Sequence, residues 1–476
     1  MKITNNSYFP FDQQVPIYNW FYPLCYDENL SDFTSSNTIA RNIKPGQIRT
    51  RSLYFHVPFC DTICSFCPFV RGKFQDRAIV EKYTQALVKE VSIKGLNPAY
   101  SEVPVNAIFF GGGTPSILNA EQIQRIGKAI ADHFDLSQLK EFSFEMEVKS
   151  VTDEKLEALK RIGVTHARFG LQTFNQRYRN HFNLTASIDQ CVTQLLAMQR
   201  YFSHVSFDLL YGMNGQSFDE LAADVLSACA TGASNIDIYP VNNLSTQLKL
   251  HNAYGDAGLE PLSAMTKTAM RSFIDEIMRS KEYTPHNGHG YIRNDMIANS
   301  NVIVTREYQF QYHKSVYGYA DSDTLGFGVS AMTSTHDVGY ENHGNRNVYI
   351  DTLLKEGDVP CRYRSFSPVE AATKPLIMHL AYFGFLDKSK ISWDLVHCET
   401  LASLEKLIDT KLVEDKGEAY ELTKNGWLWY TNIMFFLHPE PDKKVLCDSF
   451  ERREQQPGRL DGVRHFLLPE KPLAFA

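Results

Sequence analysis

Three cysteines, Cys60, Cys64 and Cys67, fall within eight residues of one another in the stretch Tyr54-Phe-His-Val-Pro-Phe-Cys60-Asp-Thr-Ile-Cys64-Ser-Phe-Cys67. Thiolates at these separations converge on one group from a single loop, and soft sulfur donors suit a cuboidal iron–sulfur cluster. Three ligands for four irons leave one iron open to a substrate or cosubstrate. The spacing therefore points to a catalytic cluster rather than to an electron carrier. A disulfide fits poorly, because close-set cysteines in a chain without a secretion signal are more often metal ligands. Structural zinc, with His56 or a distant cysteine as fourth ligand, is the better alternative. Zinc sites, however, usually pair two tight Cys-x2-Cys hairpins, and no second hairpin is present.

Other chemistry-bearing residues recur at the ends of apolar runs. Gly111, Gly112, Gly113 and Thr114 follow the run Val105 to Phe110, where glycines let backbone groups approach a ligand closely or simply make a tight turn. In Phe142 to Glu147 the pleat puts Phe142, Phe144 and Met146 on one face and Ser143, Glu145 and Glu147 on the other. Gln172 ends the run His166 to Gln172, and Asp208 interrupts the run Val205 to Tyr211. Each carboxylate taken singly also fits a hydrogen-bonded structural group. Together they predict a pocket at the carboxyl edge of a parallel barrel. His286 and His289 are possible metal ligands, but an isolated pair in a turn reads better as a solvated loop.

Those positions require an alternation of strands and helices. Strands are predicted at Ser52 to Val57, Val105 to Phe110, Phe142 to Glu147, His166 to Gln172, Val205 to Tyr211 and Ile236 to Val241. A helix from about Ala78 to Lys94 follows the first strand. Another, from Ala120, is announced by Asn119 and Gln122 as a capping box, and a third, from Asp153, by Thr152 as N-cap with Gly163 closing its far end. Six such units predict an α/β fold, a partial parallel (β/α)6 barrel. Residues 1–50, rich in aromatics such as Tyr18, Trp20, Phe21 and Tyr22, are expected to form a cap or lid, or to cover the barrel's exterior. Residues 51–345 are assigned to the barrel with an extension, although strands and loops are mixed between 282 and 345. Residues 346–440 form a helical, winged-helix-like C-terminal domain whose acidic surface (Glu405, Asp409, Glu414) favours a structural or substrate-capping role, and residues 441–476 a tail expected to be partly disordered.

The chain has 476 residues and a formal charge of −7. This balance gives no polyanion-binding field and argues against nucleic acid as the partner. The cysteines outside the motif (Cys25, Cys191, Cys229, Cys361, Cys398, Cys447) lack a repeating spacing and read as reduced thiols. Neither a signal peptide nor a membrane span is visible, so a cytoplasmic location is expected.

The cysteine spacing, with Phe66 just before the third cysteine, resembles the radical S-adenosylmethionine (SAM) superfamily. The resemblance runs from about Tyr18 to Leu437 and is nearest to the oxygen-independent coproporphyrinogen III oxidase family. The matching segments are Ser52-Leu-Tyr-Phe-His-Val-Pro-Phe-Cys60, Phe110-Gly-Gly-Gly-Thr-Pro115, Gly170-Leu-Gln-Thr-Phe174, Asp208-Leu-Leu-Tyr-Gly212 and Leu325-Gly-Phe-Gly-Val-Ser-Ala331. It implies a [4Fe-4S] cluster on Cys60, Cys64 and Cys67 and up to two SAM molecules. Tyr54, Phe66 and Gly111 to Thr114 would serve the first SAM; Glu145, Gln172 and Asp208 would lie at or near the second, with Glu145 also counted as catalytic. It further implies a small-molecule substrate, a tetrapyrrole or an aromatic metabolite, an electron donor such as flavodoxin or ferredoxin, and a monomer.

Two departures bear on the substrate. Leu184 stands where the porphyrinogen oxidases carry a SAM-contacting Arg, with Arg177 and Arg179 as neighbouring substitutes, and Pro68-Phe69 stands where they carry Gly-Cys. Pro68-Phe69 and the run Asp237 to Leu244 resemble the relatives that methylate, the class C methyltransferases, including enzymes of anaerobic haem breakdown. The resemblance thus implies C-methylation or methylene transfer to an sp2 carbon. Oxidative decarboxylation of coproporphyrinogen and non-catalytic haem chaperoning are the alternatives.

Overall fold

The computed structural model describes the chain apart from residues 5, 7, 8, 19, 26–29, 42, 44–47, 309 and 456–476. The six expected strands form at β1 (Thr50–Val57), β2 (Val105–Gly112), β3 (Glu141–Met146), β4 (His166–Gln172), β5 (His204–Tyr211) and β6 (Asn235–Pro240), all parallel and hydrogen-bonded in chain order. Helices Arg77–Gly95, Ala120–His133, Asp153–Arg161, Ile188–Met198 and Phe218–Ala230 intervene. The Asn119–Gln122 capping box is present, and Thr152 caps its helix through Lys155 N–H.

The segment 282–345, in which the sequence mixes strand and loop patterns, supplies a seventh parallel strand, β7 (Ser322–Phe327), which pairs with β1 rather than following β6. A fully buried ion pair fixes it there, with Arg51 Nη2 2.6 Å from Asp323 Oδ2 and Nε 2.8 Å from Oδ1. Beyond β7 the sheet continues antiparallel through Met332–Ser334, Val338–Asn342, Pro360–Ser365 and Thr34–Ser35. Beyond β6 it continues through Gly290–Arg293 and Tyr283–Pro285. Among the described residues no pairing joins the two edges. Pro360–Ser365, beyond residue 346, belongs to this large sheet, and Arg346–Glu356 packs on helix Arg77–Gly95.

The pleat divides each parallel strand. Leu53, Phe55, Phe110, Phe142, Phe144, Phe169, Phe207 and Phe327 join one continuous core with the helices. Phe55 stacks between Phe110 (4.4 Å) and Phe327 (4.7 Å). Tyr54, His56, Glu145, Arg168, Gln172, Asp208 and Tyr239, at the alternate positions, line the opposite, concave side.

A second core joins the first residues of the chain to the last. Phe11 packs on Trp429 and Phe436, and Trp20 Nε1 donates to His438 Nε2 at 2.8 Å. Phe11 and Trp20 thus pack on the C-terminal module, whereas Tyr18 packs on Tyr239 of β6 and on His289 and, with Phe21 and Tyr22, lines the concave side. That module has a three-stranded sheet, Phe385–Asp387, Ala419–Leu422 and Val413–Asp415, with helices around it. Two consecutive helices, Lys424–Leu428 and Tyr430–Phe436, follow the sheet. The expected tail is helical over Glu440–Glu454, and its remainder lies outside the described residues.

Candidate active site

The cysteine loop leaves the end of β1 and is closed by a short ribbon in which Phe59–Cys60 pairs with Gly72–Lys73. Distant segments pin it: Asn183 Nδ2 and Lys249 Nζ donate to Ile63 O at 3.0 and 3.1 Å, and Gln247 Nε2 donates to Cys64 O at 2.7 Å. Phe66 packs on Phe182 at 4.9 Å. Burial pushes all three thiols up. Cys64 reaches about 12, with Cys67 and Cys60 adding to the burial effect, while Arg71 opposes the shift at each thiol. Thr114 Oγ1 donates to Cys60 Sγ at 3.6 Å.

The glycines at the end of β2 and just beyond it have no room for side chains. Gly112 has φ +106°, and a Cβ there would lie 2.7 Å from the His56 ring. A Cβ on Gly113 would lie 2.7 Å from Phe59 O, in the segment leading to Cys60, and Gly113 N–H donates to Val57 O at 2.9 Å. Gly111 comes against Glu145, whose Oε2 would be 3.0 Å from a Cβ at that glycine.

Beside this loop lies a cavity of about 480 Å³. Tyr54, Phe66, Gly112, Glu145, Gln172 and Asp208, all singled out by the sequence, line it. Gly111, Gly113, Thr114, Cys60, Cys64 and Cys67 are not among the residues that line it. Gln172 adopts φ +74°, a strained conformation for a residue with a side chain, at the bulge between β4 and β5. Burial raises Glu145 to about 7 against the opposing Arg168 charge and the Gly112 N–H. Asp208 is also pushed upward by burial; Arg168 opposes this, and the Asp237 and Glu145 charges add to it.

Arg168 is the residue that sequence reasoning missed. It is 5% exposed, pairs most closely with Asp237, and lies 3.6 Å from Asp208 Oδ1. Its Nη1 has no hydrogen-bond partner among the described residues, and its guanidinium lies 4.5 Å from the Phe310 ring centroid. Its signal was present in β4, where it shares the pleat face of Gln172 four residues away. The suggested substitutes are committed elsewhere. Arg177 pairs with Glu220 at 2.7 Å, and Arg179 donates to the carbonyls of Leu171 and Thr173. Leu184 packs against the apolar cluster of Tyr178 and Phe182.

His286 and His289 are not in a solvated loop. Both are buried, because their hairpin extends the sheet from β6. His286 Nε2 meets Asn235 Oδ1 at 2.7 Å, and His289 Nε2 meets the Tyr430 hydroxyl at 2.9 Å. Among the described residues, no three His, Cys, Asp or Glu side chains are grouped to hold a single metal ion. A cuboidal cluster asks for something different, with each thiolate on its own iron.

Residues 54–227 match the family described as the radical SAM superfamily. The chain thus carries a radical SAM domain over those residues. It is 26% identical over 405 residues to anaerobilin synthase of Escherichia coli O157:H7, spanning 81% of this chain and 83% of that one. It is 24% identical to the oxygen-independent coproporphyrinogen III oxidase of Escherichia coli strain K12 (85% and 89%) and to the heme chaperone HemW of Lactococcus lactis (81% and 96%). The solved structure of coproporphyrinogen III oxidase (HemN) from Escherichia coli shares the fold, with a TM-score of 0.74 at 22% identity, covering 88% of this chain and 96% of that one. No helix among the described residues is long and apolar enough to cross a membrane.

A radical SAM domain implies a [4Fe-4S] cluster and SAM, and the residues present fit both. Cys60, Cys64 and Cys67 would hold the cluster as thiolates, and the iron would offset the burial and neighbouring-thiol effects that raise Cys60 and Cys64. Arg71, whose Nε is buried without a hydrogen-bond partner, offers charge to an anionic cluster. Glu145 and Asp208, both pushed upward by burial, suit a ligand that brings positive charge.

Proposed function

We propose that this protein acts on a tetrapyrrole, using one SAM as radical source and a second as donor of a methyl or methylene group to an sp2 carbon, in anaerobic haem breakdown. The observation that supports this best is the single cavity in which Tyr54, Glu145, Gln172, Arg168 and Asp208 meet beside the cysteine loop and continue into an aromatic lining. The 26% identity to an anaerobilin synthase over most of both chains agrees with it.

When bound, the cluster and SAM supply the electron and the 5′-deoxyadenosyl radical. The chain's own residues do the positioning. Cys60, Cys64 and Cys67 hold the cluster; the Gly112 cradle and Tyr54 lie where the first SAM would be seated. Glu145 and Asp208 ionise beside cationic sulfonium and ammonium groups, so charge binds charge in a site of low dielectric. Arg168 pairs with Asp237 and stands 3.6 Å from Asp208, and so orients both carboxylates. Tyr54, Tyr312 and Phe109, stacked with centroids 4.7–6.2 Å apart, form a flat wall for an aromatic macrocycle and exclude water from it.

The test is anaerobic turnover of the cluster-loaded protein with reductant, methyl-deuterated SAM and haem, followed by mass spectrometry. The expected result is 5′-deoxyadenosine and S-adenosylhomocysteine together, with deuterium in a tetrapyrrole product. Deoxyadenosine without homocysteine or label, decarboxylation of coproporphyrinogen, or bound haem without SAM cleavage would each overturn the reading.

A further inference from the structure

We propose that His313 is an axial ligand to the iron of a metallated tetrapyrrole in the cavity, an inference that rests on the tetrapyrrole reading above and narrows it to an iron-bearing substrate. His313 stands on the short helix Gln311–Val316, which is anchored to β3 by Glu141, whose carboxylate accepts the N–H groups of Gln311 (2.6 Å) and Tyr312 (3.3 Å). The helix packs on β1, β2 and β7 and brings the imidazole to the cavity wall.

Elimination among the neighbouring histidines leaves this one. His56 also lines the cavity, but its Nδ1 meets the Tyr54 hydroxyl at 3.0 Å and its Nε2 meets Val70 O at 2.8 Å. His286 and His289 are spent on Asn235 and Tyr430. His313 meets the Tyr382 hydroxyl through Nδ1 at 3.4 Å, and its Nε2 has no hydrogen bond among the described residues. A proton on Nδ1 facing a phenol oxygen leaves the Nε2 lone pair as donor, the arrangement that orients an imidazole ligand. Burial and the Arg168 charge hold the ring at about 3, so it stays neutral and cannot act as a proton donor near pH 7. Rings of Phe310, Tyr312, Tyr317 and Tyr382, at 5.5–5.9 Å, fix the imidazole plane.

The test needs no turnover. Haem is added to the cluster-loaded full chain without SAM, and resonance Raman spectra excited in the Soret band are recorded in the ferrous state, with affinities for haem and metal-free protoporphyrin IX measured in parallel. The expected result is an iron–histidine stretch in the wild type that is absent in His313→Ala and His313→Phe and replaced by ligation when imidazole is added to His313→Ala. Tyr382→Phe should retain the band at a shifted frequency. The preference for haem over the metal-free porphyrin should fall about tenfold or more in both His313 variants. An unchanged band in those variants, or haem bound by the wild type without one, overturns the ligand assignment. A wild type that binds neither porphyrin overturns the tetrapyrrole reading itself.

Discussion

The guanidinium of Arg168 lies 3.6 Å from Oδ1 of Asp208 while its closer contact is to Asp237. One buried cation thus serves two carboxylates, with Glu145 as a third nearby negative group. The cavity has more acidic groups than Arg168 alone offsets, and burial pushes Glu145 and Asp208 upward.

Removing the cation should be costly. Arg168→Met leaves Asp237, 1% exposed, without its ion-pair partner and is expected to destabilise the ligand-free fold by about 3–5 kcal/mol. Chemical denaturation measures this. Arg168→Met combined with Asp237→Asn should recover part of the loss, because the orphaned charge is gone.

The acidic groups set a pH dependence. Glu145 rises from its ordinary 4.5 to about 7 on folding, so the folded chain holds more protons than the unfolded one across that window. Its contribution to stability therefore falls as pH rises from about 4.5 to about 7. SAM, which favours the ionised form, should bind more tightly as pH rises through 7 and release protons as it binds. Calorimetry in buffers of different ionisation enthalpy reads that release, and Glu145→Gln should remove most of its share.

Gly112→Ala forces a side chain into φ +106° and against the His56 ring. The expected cost is about 1–3 kcal/mol in stability, with weakened SAM binding. Thermal unfolding and equilibrium binding test the two effects separately.

Replacing Cys64 by Ser should abolish the cluster without unfolding the chain, since the loop is held by Asn183, Lys249 and Gln247 through backbone carbonyls that the substitution leaves in place. Iron content and visible absorption should be lost while far-ultraviolet circular dichroism is retained.

The sequence by itself determined what depends on neighbours along the chain. Cys60, Cys64 and Cys67 share one loop, so their spacing alone constrains what they can hold. The pleat of β3 decides that Glu145 faces away from Phe142 and Phe144, and the same alternation places Asp208. Tertiary structure decided what depends on residues brought together from afar. Asp323 selects the place of β7 through Arg51, 272 positions away in the chain. Phe11 and Trp20 find their partners near Trp429 and His438, and His286 and His289 become core residues because their hairpin joins the sheet at β6. Arg168 lay on a legible face of β4, but its role appears only with Asp237, two strands away. No local pattern marked His313, because its surroundings come from Tyr382 in the C-terminal module and from a short helix whose position is set by packing on the sheet. Spacing and pleat are local geometry, whereas burial and pairing are properties of the assembled fold.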